Sequence, residues 1–157
     1  MIVFGFRAGL IYYIYFLITV TVRLSVLSRV MVEPHIHKRL WEVSKDGDTE
    51  VIGSLLAAGA DPNKYRDSKG YSALIRAASK GHRSAALQLL RHEAKVSDVT
   101  NTGWTALHWA AFNGDTKMVL TLMLWGANPQ HKAKDDGKTP AEVAKIHDHV
   151  DIVRLLL

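Results

Sequence analysis

The chain is predicted to be an all-α solenoid of stacked helical hairpins, and three observations carry that prediction. A segment beginning at Gly103, GWTALHWAAFNGDTKMVLTLMLWGANP, has a degraded copy beginning at Gly70, GYSALIRAASKGHRSAALQLLRHEA. Mid-unit glycines recur at Gly47, Gly81 and Gly114, separated by 34 and then 33 residues. Each unit also reads as two short helical pieces between cap and turn residues. Self-similarity at this period marks one small unit stacked on copies of itself. Such a stack offers a face to a partner rather than a pocket for chemistry.

Bulk properties fit a single modest domain: 157 residues, 48% of them apolar and 22% charged. The formal charge of +5 is a mild basic excess, so nucleic-acid binding has only scattered lysines to support it. Cysteine is absent, which excludes a disulfide framework and a thiolate metal site and suits a reducing compartment.

Residues 1–32 stand apart from the rest. They contain no acidic residue, and only Arg7, Arg23 and Arg29 carry charge. The 15 uncharged residues from Ala8 to Val22 would span roughly 22 Å as a helix, against about 30 Å for a bilayer core. Extending the run back to Ile2 supplies the length if Arg7 snorkels. Three readings compete: a membrane anchor over residues 2–22, a cleaved signal peptide, and an irrelevant or misjoined stretch. Arg23, Arg29, Lys38 and Arg39 on the C-terminal side would leave an anchored repeat domain in the cytoplasm.

The repeat domain is assigned to residues 33–157, with units at about 38–64, 67–97, 100–130 and 134–157. The first unit starts abruptly at Lys38 and presents Leu40, Val43, Val51, Ile52, Leu55 and Leu56 as its apolar stripes. The second repeats the pattern with Ser72 and Ala73 opening its first helix. In the third, Thr105 is an N-cap followed by the stripe Ala106, Leu107, Ala110 and Ala111. Asn113 and Gly114 stop that helix, Asp115 caps the next, and Met118, Val119, Leu122 and Met123 form the second stripe. Gly126, Asn128 and Pro129 close the unit. In the fourth, Thr139, Pro140 and Glu142 make a capping box with proline at the first helical position. Its second helix carries Ile152, Val153, Leu155, Leu156 and Leu157.

These residues resemble the ankyrin repeat. Its pattern, D-x-x-G-x-T-P-L-H-x-A-A-x-x-G followed by a helix ending L-L-x-x-G-A-x-P-N, is met by Gly103, Thr105, Leu107, His108, Ala110, Ala111, Gly114, Gly126, Ala127 and Pro129. The second unit has Glu93 where the pattern has glycine, and the fourth has Asp148 in place of the mid-repeat glycine. The resemblance covers residues 38–157. It implies an L-shaped stack with hairpin turns as fingers and the first helices as a concave palm.

The same resemblance implies which side chains face a partner. They are Ser68, Lys69, Tyr71, Ser79 and Lys80 in the second unit, then Asn101, Thr102, Trp104, Phe112 and Asn113 in the third. Asp135, Asp136, Lys138, Ile146 and His147 follow in the fourth. Of these, Lys69, Tyr71, Lys80, Asn101, Trp104, Phe112, Asn113, Asp136 and Lys138 form the candidate binding set. Tyr71, Trp104 and Phe112 should lie together as a hot-spot cluster, unless they cover each other or the apolar N-terminal segment. Arg76 and Trp109 occupy matching positions in adjacent units and are candidates for mutual stacking.

Chemical motifs fare poorly. Gly137, Lys138 and Thr139 end like a phosphate loop, but the glycine required five residues earlier is Lys132. His35 with His37, and His147 with His149, sit two residues apart and so on different helix faces, and no further ligand accompanies them. His108 is the family's histidine, for which the resemblance implies hydrogen bonding between loops. With no nucleophile elbow, carboxylate pair or HExxH, the sequence predicts no catalysis, no cofactor, no metal and no small-molecule substrate.

The expected function is that of a scaffold or adaptor binding a protein partner through the palm and turn tips. The alternative is a regulatory or targeting fragment of a larger membrane protein or enzyme. Leu155, Leu156 and Leu157 motivate it, because they end the sequence without the G-A-x-P-N finish or a polar outer face.

Overall fold

The computed structural model describes residues 35–157. Residues 1–32, and with them the anchor, signal-peptide and misjoined readings, lie outside the described residues. Among the described residues there are eight helices and no strand. Residues 35–46 form α1, followed by α2 (Thr49–Ala57), α3 (Ala73–Ser79), α4 (Arg83–Arg91) and α5 (Ala106–Phe112). The remainder are α6 (Thr116–Leu124), α7 (Pro140–Ile146) and α8 (Val150–Leu156). None of them is long and apolar enough to cross a membrane.

Helix starts follow from side-chain oxygens placed three residues before an orphan amide. Asp48 accepts from the Val51 amide (3.1 Å), Ser72 from Ile75 (3.4 Å) and Asp115 from Met118 (2.9 Å). The predicted box at Thr139 closes: Thr139 Oγ1 accepts from the Glu142 amide at 3.3 Å, and the Glu142 carboxylate accepts from the Thr139 amide at 2.7 Å. The Thr139 amide, joined by the Thr139 hydroxyl at 3.0 Å, donates to the Glu142 carboxylate and holds it below the ordinary carboxylate range, the backbone bond contributing most. The first helix departs from expectation, because it is already helical at residue 35 rather than starting at Lys38.

Two layers result. α3, α5 and α7 pack side by side as one layer, while α2, α4, α6 and α8 form the other. Trp41 on α1 joins the first layer by donating its indole N–H to the Tyr71 carbonyl at 2.9 Å. The core runs continuously through the units: Leu40, Ile52, Leu74, Leu89, Leu107, Met118, Val119, Leu122 and Ile152 are fully buried or nearly so. Each unit shuts its apolar stripe against its neighbours, the arrangement expected of a one-dimensional stack. In α8, Ile152 and Leu156 are buried whereas Leu155 faces solvent, as does Leu157 just beyond the helix.

Turns tie successive units together. Within turns, the Thr100 amide donates to the Trp104 carbonyl and Ala133 to Lys138, both at 2.9 Å. Between turns, the Asn101 amide donates to the Lys69 carbonyl (3.0 Å) and Lys134 to Thr102 (2.9 Å). Gly103 makes the second of these contacts feasible. At φ 82° it adopts the left-handed region, and a Cβ there would fall on the Lys134 amide nitrogen. Where the repeat pattern loses a glycine the backbone does not relax: Glu93 has φ 64° and Asp148 φ 60°, conformations that cost a non-glycine residue about 1–2 kcal/mol.

Candidate protein-binding face

His108 sits beneath the face, fully buried at 0% exposure. Its Nδ1 accepts from the Thr105 amide at 3.2 Å, so the proton is on Nε2, which reaches the Lys138 carbonyl of the next unit at 3.0 Å. This is the loop-to-loop hydrogen bonding expected of it. Burial pushes the imidazole pKa below its ordinary value, partly opposed by the Lys138 carbonyl, and keeps the ring neutral. His82 and His149 serve a second seam. They open α4 and α8 without capping them, and their Nε2 atoms meet the carbonyls of Lys45 (2.9 Å) and Phe112 (3.1 Å). Each ring lies against the glycine of the preceding unit, Gly47 or Gly114, where an added Cβ would come within 2.6 Å of it.

Above this frame the first-helix layer carries a continuous aromatic cluster. Trp104 lies 4.8 Å from Trp109 and 5.9 Å from Phe112, while Trp109 lies 5.7 Å from Phe112 and 5.8 Å from Tyr71. His147 extends it, with its ring 4.5 Å from Phe112. The cluster therefore bridges units two, three and four. Tyr71, Trp104 and Phe112 do come together as predicted, but Trp109, left out of the binding set, is their hub. The rings partly cover one another and Phe112 remains 38% exposed.

The stacking expected between Arg76 and Trp109 is not formed. Arg76 instead lies over Trp41 (4.6 Å) and Tyr71 (4.4 Å), and its guanidinium pairs with Asp67 at 2.6 Å. Tyr71 is the ring between Arg76 and Trp109. Burial raises the Tyr71 phenol pKa, a shift opposed by the Arg76 charge.

Other members of the predicted set have different roles. Asn101 donates its side-chain amide to the Ser68 carbonyl (2.9 Å), and Asn113 donates to Ala78 (3.2 Å) and Ser79 (3.3 Å). Both asparagines are staples between the second and third units. Lys138 pairs with Asp136 at 2.9 Å within its own turn, which holds the Asp136 carboxyl below the usual range. Lys69 and Lys80 are exposed and have no ion-pair partner among the described residues. Arg76 Nε and Trp109 Nε1 are buried donors without an acceptor among the described residues.

Sequence reasoning missed an apolar patch on the opposite layer. Leu120, Leu124 and Trp125 of the third unit are exposed, Leu124 at 87%. Two of the matching residues in the second unit are Arg91 and His92, so a position-by-position comparison of the copies carried the signal. An open groove of about 530 Å³ passes the starts of α2, α4 and α6, lined by Gly47, Thr49, Gly81, His82, Arg83, Ser84, Ala85, Asp115 and Lys117. Two of its titratable groups already have structural work: His82 meets the Lys45 carbonyl and Asp115 caps α6. Among the described residues no three His, Cys, Asp or Glu side chains are grouped to hold a metal.

The sequence matches the family model described as ankyrin repeats (3 copies) over residues 40–133. The chain belongs to the ankyrin-repeat family. The fourth ankyrin unit, α7 and α8, lies beyond the matched stretch and packs on α5 and α6 in the same way as its predecessors. A putative ankyrin repeat-containing protein of Treponema pallidum is 36% identical over 85 residues, covering 54% of this chain and 28% of that protein. A probable E3 ubiquitin-protein ligase of Oryza sativa is 31% identical over 121 residues, covering 76% of this chain and 24% of the ligase. Regulatory subunit 27 of mouse protein phosphatase 1 is 29% identical over 111 residues, covering 71% of both chains. The chain thus spans about a quarter of the length of the first two relatives. Ankyrin repeats are in general protein–protein interaction modules, and the fold itself is non-catalytic.

Proposed function

We propose that this chain is a scaffold or adaptor that binds a protein partner through the first-helix face of its ankyrin units. One observation carries the reading: the ring cluster Tyr71, Trp109, Trp104, Phe112 and His147 spans three units on one face. Packed aromatic groups within a polar rim are the composition of interface hot spots, where a few residues supply most of the binding free energy. The alternative reading, a regulatory or targeting fragment of a larger membrane protein or enzyme, draws support from relatives that are long proteins in which the matched stretch is a minor part. A tether through residues 2–22 rests on the apolar run of the sequence, and the cytoplasmic setting on the positive residues that follow it. Carbonate extraction of cell membranes tests the tether, and release of the full-length chain would end it.

Proximity labelling in cells tests the interaction. The wild-type chain, Trp104→Ala with Phe112→Ala, and Leu124→Ala are expressed at matched levels. The reading predicts that the ring variant loses its labelled neighbours while Leu124→Ala keeps them. Unchanged neighbours for the ring variant would refute it.

A further inference from the structure

We infer that the first-helix face takes an extended, acidic protein segment with one apolar anchor, the anchor seated over the third and fourth units and its carboxylates directed toward the second and first. The inference rests on the binding face proposed above and adds the chemistry and direction of its occupant.

The face is polarised along the stack. At matching positions near the mid-unit turn stand Lys45, Ser79, Phe112 and Ile146, and one residue later Asp46, Lys80, Asn113 and His147. The third and fourth units thus present Phe112 at 38% exposure and Ile146 at 58%. The first and second present lysines. Lys45, Lys69 and Lys80 are exposed and have no ion-pair partner among the described residues.

The carboxylates nearby are largely engaged. Asp67 is held by Arg76 at 2.6 Å, and Glu42 lies 3.9 Å from Lys38 and 3.6 Å from Arg39. Asp46 is left to oppose three lysines. The two buried polar atoms of this face without a partner, Arg76 Nε and Trp109 Nε1, are both donors. A cationic partner would meet like charge beside the rings, while an acidic one gains complementarity and a faster encounter.

Spacing follows from the stack. Packed helices lie about 8–10 Å apart, and an extended chain covers about 3.3–3.6 Å per residue. A residue anchored on Phe112 therefore places a carboxylate near Lys80 roughly three residues away, and one near Lys45 roughly six residues away.

The test is selection of random twelve-residue peptides, displayed on phage, against the full chain held in mild detergent. Selected peptides should carry an aromatic or aliphatic residue with Asp or Glu about three and six positions from it. Their binding should fall about tenfold or more in Lys69→Glu with Lys80→Glu, fall similarly in Phe112→Ala, and weaken as salt rises. Both lysines are exposed, so the double variant should keep the wild-type urea midpoint. Selected peptides without acidic enrichment, or indifferent to the lysine reversals yet sensitive to Phe112→Ala, would overturn the acidic class and leave the binding face standing. Peptides indifferent to Phe112→Ala, or no enrichment at all, would overturn both.

Discussion

The second and third ankyrin units share a frame and differ in almost everything they show to solvent. Leu74 matches Leu107, Ala77 and Ala78 match Ala110 and Ala111, and all six are buried. On the first-helix face, by contrast, Arg76, Ser79 and Lys80 of the second unit become Trp109, Phe112 and Asn113 in the third. The motif positions build seams, which every unit needs in nearly the same form. Positions between them are free of that demand, and in this chain they divide into a cationic unit beside an aromatic one.

The largest effects should come from the shared frame. Leu107→Ala opens a cavity at a buried seam and should cost about 2–5 kcal/mol, with Leu74→Ala in the same range. Urea unfolding followed by circular dichroism measures both. A loss below 1 kcal/mol at either site would break the equivalence of the two seams.

A buried polar position sharpens the comparison. His108 of the third unit is matched by Ile75 in the second, and both are fully buried. The folded protein holds His108 neutral, its pKa lowered by burial, whereas the unfolded chain's imidazole charges near pH 6.5. Below that value the unfolded state binds more protons, so stability falls as pH drops from about 6.5 toward the lowered folded pKa. Urea midpoints at pH 7.5 and pH 5 should show this fall. His108→Gln should lower the midpoint at pH 7.5 and flatten the decline; an undiminished decline would locate the acid sensitivity elsewhere.

The smallest effect concerns the turn after the second helix. Gly126 of the third unit has φ 84°, and its counterpart Glu93 holds φ 64° without glycine's freedom. Glu93→Gly should therefore stabilise the protein by about 0.5–1 kcal/mol, the left-handed penalty reduced by glycine's greater unfolded entropy. Thermal unfolding checks it, and a lower Tm would show that the Glu93 side chain supplies a compensating contact.

Frame and face were not equally legible in the sequence. The caps at Thr105, Asp115 and Thr139 depend on residues three apart in one chain segment, and short-range spacing encodes them completely. His108 could be placed because its motif fixes its role. Trp109 could not: its neighbours are chosen by how α3 and α5 approach each other, and that set Tyr71 between it and Arg76. Asn101 and Asn113 fall in the predicted binding set yet staple two units together, because an amide's direction across a seam leaves no trace in spacing. Leu124 and Trp125 leave no mark in the repeat pattern because that pattern records the buried stripe of α6, Met118, Val119 and Leu122, and both residues lie off it.

The structure therefore offers two exposed apolar sites in one unit, Phe112 on the first-helix layer and Leu124 on the second, and the account assigns binding to the first. Photocrosslinking decides between them directly, with a benzophenone amino acid placed at position 112 or position 124 of the full chain in cells. Discrete protein adducts from position 112, absent from position 124, are the predicted result. Adducts from position 124 with none from position 112 would contradict it.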